Sequence, residues 1–151
     1  MTLHHIELWV ADLERARACW GWLLERLGWS PYQDWPAGVS WRSGDTYLVI
    51  ERSPALRGDR HDRLRPGLNH LAFHVPTRHG LDALVTEASR HGWTLMFADR
   101  HPYAGGPRHY AAYLENADGF EVELVARPEP AGEHADAAPD GTDPGPPGEH
   151  P

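Results

Sequence analysis

An α+β fold made of two βαβββ halves follows from three features of the sequence. Short runs alternate apolar and polar residues with the strand period of two. Two longer stretches repeat their apolar residues at helical spacing, and the whole order of segments occurs twice. Four short strands per half are read as too few to stand alone, so the halves are expected to share a mixed sheet with the helices on its outer face.

The elements follow in order. Leu3–Val10 reads as a strand. Asp12 can cap a helix from about Leu13 to Leu27, with Trp20, Leu23, Leu24 and Leu27 as its apolar stripe and Gly28 at its end. Strands are expected around Ser30–Asp34, Val39–Arg42 and Thr46–Glu51, separated by Pro36-Ala37-Gly38 and Ser43-Gly44-Asp45. An Arg-rich linker, 52–67, joins the halves. In the second half a strand at Leu68–Val75 precedes a helix from about Arg78 to His91, carrying Leu81, Leu84, Val85 and Ala88. Gly92 ends this helix, and strands are expected at Thr94–Ala98, Tyr110–Glu115 and Phe120–Val125. His5-Ile6 and Val10 stand 65 positions before His70-Leu71 and Val75, and Gly28-Trp29 stands 64 before Gly92-Trp93. The modules therefore span about 3–51 and 68–126 within one domain, 1–127.

The composition changes after Arg127. Residues 128–151 hold seven Pro, six acidic residues, no basic residue and no aromatic, which predicts a disordered acidic tail. The formal charge of −8 in 151 residues falls to −2 once that tail is set aside. Neither value suits a nucleic-acid partner, which needs a basic surface. All 14 basic residues are Arg, so a phosphate-loop lysine is excluded. The single cysteine, Cys19, excludes a disulfide framework and reads as a small helix residue. No apolar run approaches the roughly 20 residues of a membrane span, and no signal peptide precedes the first strand. A soluble cytoplasmic protein is the expectation.

Strand parity sorts the candidate functional residues. Ile6, Leu8 and Val10 share one face of the first strand, and His5, Glu7 and Trp9 the other. Leu71, Phe73 and Val75 likewise oppose His70, Ala72 and His74. Leu48 and Ile50 oppose Tyr47, Val49 and Glu51, and Phe120, Val122 and Leu124 oppose Glu121 and Glu123. The helices need the apolar faces. The remaining surface carries His5, Glu51, His70 and Glu123, one His and one Glu from each half, as two equivalent pairs of matching parity. Two imidazoles and two carboxylates suit a divalent ion such as Zn, Ni, Fe(II), Mn or Co. Read one at a time, each is an ordinary solvated strand residue. Trp9 shares the parity of His5 and is expected to line the pocket, with Trp35 and Trp41 as further candidates and His74 beside them. His4 points the other way.

Four segments carry a resemblance to a known family. They are His5-Ile6-Glu7-Leu8-Trp9-Val10-Ala11-Asp12-Leu13, Val49-Ile50-Glu51, Asn69-His70-Leu71-Ala72-Phe73-His74-Val75 and Asp118-Gly119-Phe120-Glu121-Val122-Glu123-Leu124. Over Leu3–Ala126 the chain resembles the vicinal-oxygen-chelate superfamily, which includes glyoxalase I, methylmalonyl-CoA epimerase, extradiol dioxygenases and the fosfomycin- and bleomycin-resistance proteins. The resemblance implies paired βαβββ modules forming a cupped sheet around a metal. It places His5, Glu51, His70 and Glu123 on the four ligand positions of glyoxalase I, and Glu121 beside the site. It further implies a lyase or isomerase that polarises two vicinal substrate oxygens while Glu123 or Glu51 moves a proton as general base.

Two other readings stay open. An Fe(II) extradiol-type dioxygenase would use His5, His70 and Glu123, with Tyr113 ten residues before Glu123 where such enzymes carry a tyrosine. His101 or His109 would be its accessory histidine, while Tyr113 otherwise reads as a strand aromatic. A drug- or metabolite-binding resistance protein would hold its ligand without turnover. The epimerases place Gln where Glu51 stands, and the fosfomycin enzymes call for a lysine absent here. The partners expected are a small molecule and a second copy of the chain, and the linker is long enough for ligands from one chain or from two. Arg52, Arg57, Arg60, Arg63 and Arg65 read as a self-paired charged loop, and the loop Asp99–His109 as a lid or a plain connection.

Overall fold

A computed structural model describes residues 3–128; beyond Pro128, the expected tail lies outside the described residues. The elements are β1 (His5–Trp9), α1 (Leu13–Arg26), β2 (Ser30–Trp35), β3 (Gly38–Ser43), β4 (Thr46–Glu51), β5 (His70–Val75), α2 (Arg78–Ala88), β6 (Trp93–Leu95), β7 (Ala111–Asn116) and β8 (Glu121–Ala126). The expected α+β fold of paired βαβββ modules is formed. Asp12 caps α1, its carboxylate accepting from the Arg15 N–H at 3.0 Å, and Thr77 caps α2 through the Gly80 N–H. The second helix ends with its apolar pattern at Ala88 rather than near His91 as expected, passing into a 3-10 turn at Ser89–His91 before Gly92 adopts a left-handed φ of 81°. β6 is also shorter than expected. Among the described residues no helix is long and apolar enough to cross a membrane.

The expectation that the halves share hydrogen-bonded strands needs correcting. Each half closes its own four-stranded sheet, in the orders β1-β4-β3-β2 and β5-β8-β7-β6. In both, the helical crossover returns the chain so that the last strand pairs parallel with the first. This leaves β1 and β5 at the edges of their own sheets.

Side chains, not strand pairing, join the modules. Trp20 of α1 is fully buried, edge-on to Trp93 at 5.1 Å and to Phe120 at 6.0 Å, both in the second module. The Trp93 indole N–H donates to the Cys19 carbonyl at 3.1 Å, and Arg15 pairs with the buried Asp118. Cys19 is the small buried helix residue expected, and burial pushes its thiol up to about 12. Trp41, a candidate pocket residue in the sequence, instead lies in the core. It pairs with Leu48 on the helix-facing side of β3 and sits against Gly21, where an added Cβ would be 3.0 Å from its ring.

The linker is seated rather than loose. The His61 ring stacks flat on Phe120 at 4.6 Å, its backbone N–H donates to the Asp118 carbonyl, and its Nε2–H donates to the Leu68 carbonyl. Gly119 makes this approach possible: its φ is +84°, and a Cβ there would stand 2.2 Å from the His61 carbonyl oxygen. The expected self-pairing of this loop holds only for Arg65 with Asp62; Arg60 instead reaches Glu115 of β7 and Arg63 reaches Glu121 of β8.

Two substitutions test this packing. Trp20→Ala should lower stability by about 3–5 kcal/mol in urea unfolding, because it empties the seam between the modules. Gly119→Ala should cost more than about 1 kcal/mol, since the new Cβ meets both a left-handed φ and the linker backbone; hydrogen exchange at residues 59–65 should rise with it.

Candidate active site

The polar face of the second module gathers its chemistry around one carboxylate. Glu123 is 8 % exposed in the middle of β8, where it pairs with Ala72 of β5 and Tyr113 of β7. Its Oε1 accepts from the Tyr113 hydroxyl at 2.7 Å and from His109 Nε2–H at 2.5 Å. Its Oε2 lies 3.3 Å from His70 Nε2. Burial opposes the charge of Glu123. The hydrogen bonds from His109 and Tyr113 outweigh it and hold the carboxyl below its ordinary value. Burial first, then the hydrogen bond to Glu123, pushes the Tyr113 phenol up to about 12. Tyr113 is therefore a donor in this site rather than a plain strand aromatic.

The loop 99–109 roofs this cluster. Gly105 packs so closely that a Cβ there would be 2.6 Å from both the His109 ring and the Tyr113 hydroxyl. Phe97, at a φ of 51°, sets its ring edge-on to Tyr113 at 5.7 Å. Of the two histidines considered on this loop, His109 is the one hydrogen-bonded to Glu123. Glu121, 5 % exposed and opposite His70 in register, is held by Arg63 Nε at 3.0 Å. His74 stands exposed two pairs further along the same face, opposite Val125.

The first module offers a more open face. His5 is exposed, stacked on Tyr47 at 4.9 Å, with its Nδ1 2.9 Å from Nδ1 of His4. Trp9 is 42 % exposed and donates its indole N–H to Glu7. Glu51 is part-exposed opposite Trp9 and makes no ion pair among the described residues. A cavity of about 620 Å³ lies between β1 and the linker; Glu7, Trp9, Arg57 and His61 are among its walls, but none of His5, Glu51, His70 and Glu123 is.

Strand register corrects one part of the sequence argument. His5 and His70 are equivalent, but Glu51 and Glu123 are not. Glu123 belongs to the pair level two residues beyond its histidine, where the first module has Val49. Glu51 belongs to the level four beyond, where the second module has Val125. Parity is preserved because the offset is two residues, so both carboxylates still face the polar side.

The donors fit a metal ion in part. Two ligands of a zinc-like ion at about 2.0–2.2 Å stand about 3–3.5 Å apart, which matches the 3.3 Å between His70 Nε2 and Glu123 Oε2. His5 and Glu51 do not join them within the chain. Among the described residues no group of three or more His, Cys, Asp or Glu is arranged to hold a metal ion. Sequence reasoning named His70, Glu123 and Tyr113, left His109 undecided and passed over Asn69. Asn69 donates to the Arg63 carbonyl and meets the His70 ring; its place beside His70 in the third motif was the available signal.

Comparisons with known proteins agree with this architecture. A Bacillus subtilis (strain 168) protein named uncharacterized protein YqjT is 46 % identical over 126 residues, 82 % of this chain and 98 % of its own. A Bacillus halodurans crystal structure, itself only provisionally assigned as a glyoxalase, is 42 % identical with a TM-score of 0.79, covering 83 % of this chain and 96 % of that one. Lactoylglutathione lyase from Agrobacterium tumefaciens shares the fold at 18 % identity and a TM-score of 0.57, over 83 % of this chain and 92 % of its own. Residues 4–113 match the family described as the glyoxalase/bleomycin resistance protein/dioxygenase superfamily, and with these relatives the chain belongs to it.

Proposed function

We propose that the chain is a metal-dependent enzyme resembling glyoxalase I, a lyase or isomerase that moves a proton next to a carbonyl in a small substrate with vicinal oxygens. The observation that carries this is the pairing of His70 Nε2 with Glu123 Oε2 on a partly buried face. His70 and Glu123 would hold the ion, with His5 and Glu51 completing the set from a second copy of the chain. That a single chain carries these donors on separate sheets, two of them on an open face, supports a homodimer. A bound divalent ion would supply Lewis-acid polarisation of the substrate oxygens.

The chain's own groups divide the remaining work. Tyr113 and His109 hold Glu123 Oε1, so this carboxylate is anchored and weakly basic. Glu51, without an ion pair among the described residues, is the freer carboxylate and takes the role of general base. The 99–109 loop limits water at Glu123. Trp9 and His74 offer contacts to substrate on their respective faces.

The contact of Tyr113 with Glu123 favours a second reading, an Fe(II) extradiol-type dioxygenase using the same His70 and Glu123. Iron in the purified protein together with oxygen uptake on catechols would select it. A tightly held small molecule with no turnover would point to a binding protein.

Protein purified without chelators should contain a divalent metal, and Glu123→Gln should cut that content at least tenfold. A metal-free wild type, or a variant with unchanged content, overturns the proposal. Mixing a His5→Ala chain with a His70→Ala chain should restore part of the metal content if donors cross chains, and none if each chain supplies its own.

A further inference from the structure

His70 is oriented from outside its own strand. Asn69 Nδ2 lies 3.0 Å from the Arg63 carbonyl, which can only accept, so the amide nitrogen faces Arg63. The amide oxygen therefore faces His70 Nδ1, at 2.8 Å. An amide oxygen can only accept as well, so the proton between them belongs to Nδ1. That leaves Nε2 as the nitrogen turned to Glu123 Oε2, 3.3 Å away. Arg63 contributes twice. Its carbonyl fixes Asn69, and its guanidinium Nε holds Glu121 at 3.0 Å, directly opposite His70 in register. The linker segment carrying Arg63 is itself seated through the His61–Phe120 stack.

We propose that Asn69 is a positioning residue that keeps the proton of His70 on Nδ1 and its Nε2 directed at Glu123, with Arg63 of the linker holding Asn69 in place. The significance of this arrangement rests on the reading of His70 as a metal donor. A histidine that binds through one nitrogen is set by the hydrogen bond of the other. Without the Asn69 oxygen, the ring is free to carry its proton on Nε2 instead and donate it to Glu123 Oε2. That proton would occupy the Nε2 lone pair that His70 would need to hold a cation. The interaction also links the linker to the site, since displacing Arg63 releases Asn69.

The test uses ¹⁵N-edited NMR of the imidazole rings in the full chain, metal-free and with added zinc. In the wild type His70 should show a proton on Nδ1. Asn69→Ala should lose that signal, and Asn69→Asp should retain part of it, because a carboxylate still accepts from Nδ1–H but no longer donates to the Arg63 carbonyl. Asn69 is exposed, so these variants are expected to fold, and their backbone spectra report it. Zinc should bind Asn69→Ala about 10–100-fold more weakly than wild type. A wild-type His70 with a bare Nδ1, or an Asn69→Ala ring unchanged from wild type, overturns the inference. An Nδ1 proton lost in Asn69→Ala, with zinc bound by neither protein, leaves the positioning role standing and removes the metal reading. Equal zinc affinity in both proteins, with Nδ1 bare, does the reverse.

Discussion

A carboxylate that stays ionised inside a protein must have its oxygens occupied, and the second module is organised around meeting that requirement for Glu123. Its groups come from three separate segments: His70 on β5, Tyr113 on β7 and His109 on the loop between β6 and β7. None of these contacts is local in sequence. The parallel pairing of β5 with β8 brings His70 close, and the antiparallel pairing of β7 with β8 brings Tyr113 directly opposite. The loop then has to lie flat over the site to deliver His109, which is why Gly105 tolerates no side chain there. The requirements of one buried charge thus account for a strand register, a hydroxyl orientation and a loop path.

The same face explains the role of the linker. Glu115 of β7 and Glu121 of β8 stand opposite each other, one level from Glu123, and three like charges on adjacent strands repel. Arg60 and Arg63 neutralise these two. Removing Arg63 would strand Glu121, which is almost fully buried, at a cost of about 3–5 kcal/mol for an uncompensated buried charge. Arg60 and Arg63 of the linker therefore act as counter-charges to the second module.

Much of this fold was legible in the sequence because periodicity reports burial, and burial decides which face of each element meets the core. Leu8, Val10, Leu48 and Ile50 are all buried on the expected side, as are Trp20 and the leucines of α1. Two features escaped. Periodicity tells which face a residue occupies but not which residue stands opposite, so Glu51 and Glu123 looked equivalent when their levels differ by one pair. A strand pattern also does not identify its neighbouring strand, so the halves were expected to share a sheet that the parallel first-to-last pairing closes within each module. His109 was undecidable for a related reason, since its role depends on the path of a loop rather than on any repeat.

The register offset bears on how the proposed reaction divides its labour. If the two modules were chemically equivalent, their carboxylates would be too, and neither would be set apart for proton transfer. The offset breaks that symmetry. Glu123 sits level with Tyr113, whose hydroxyl it accepts, and within reach of His109, so its basicity is reduced while its position is fixed. Glu51 sits one pair further along its strand, at the end of β4 opposite the exposed Trp9, without comparable partners among the described residues. A tightly held carboxylate is suited to staying in place, whereas a base benefits from freedom to follow the proton. The positions that the two strands give these glutamates suit those different demands, and so support assigning anchoring to Glu123 and proton transfer to Glu51.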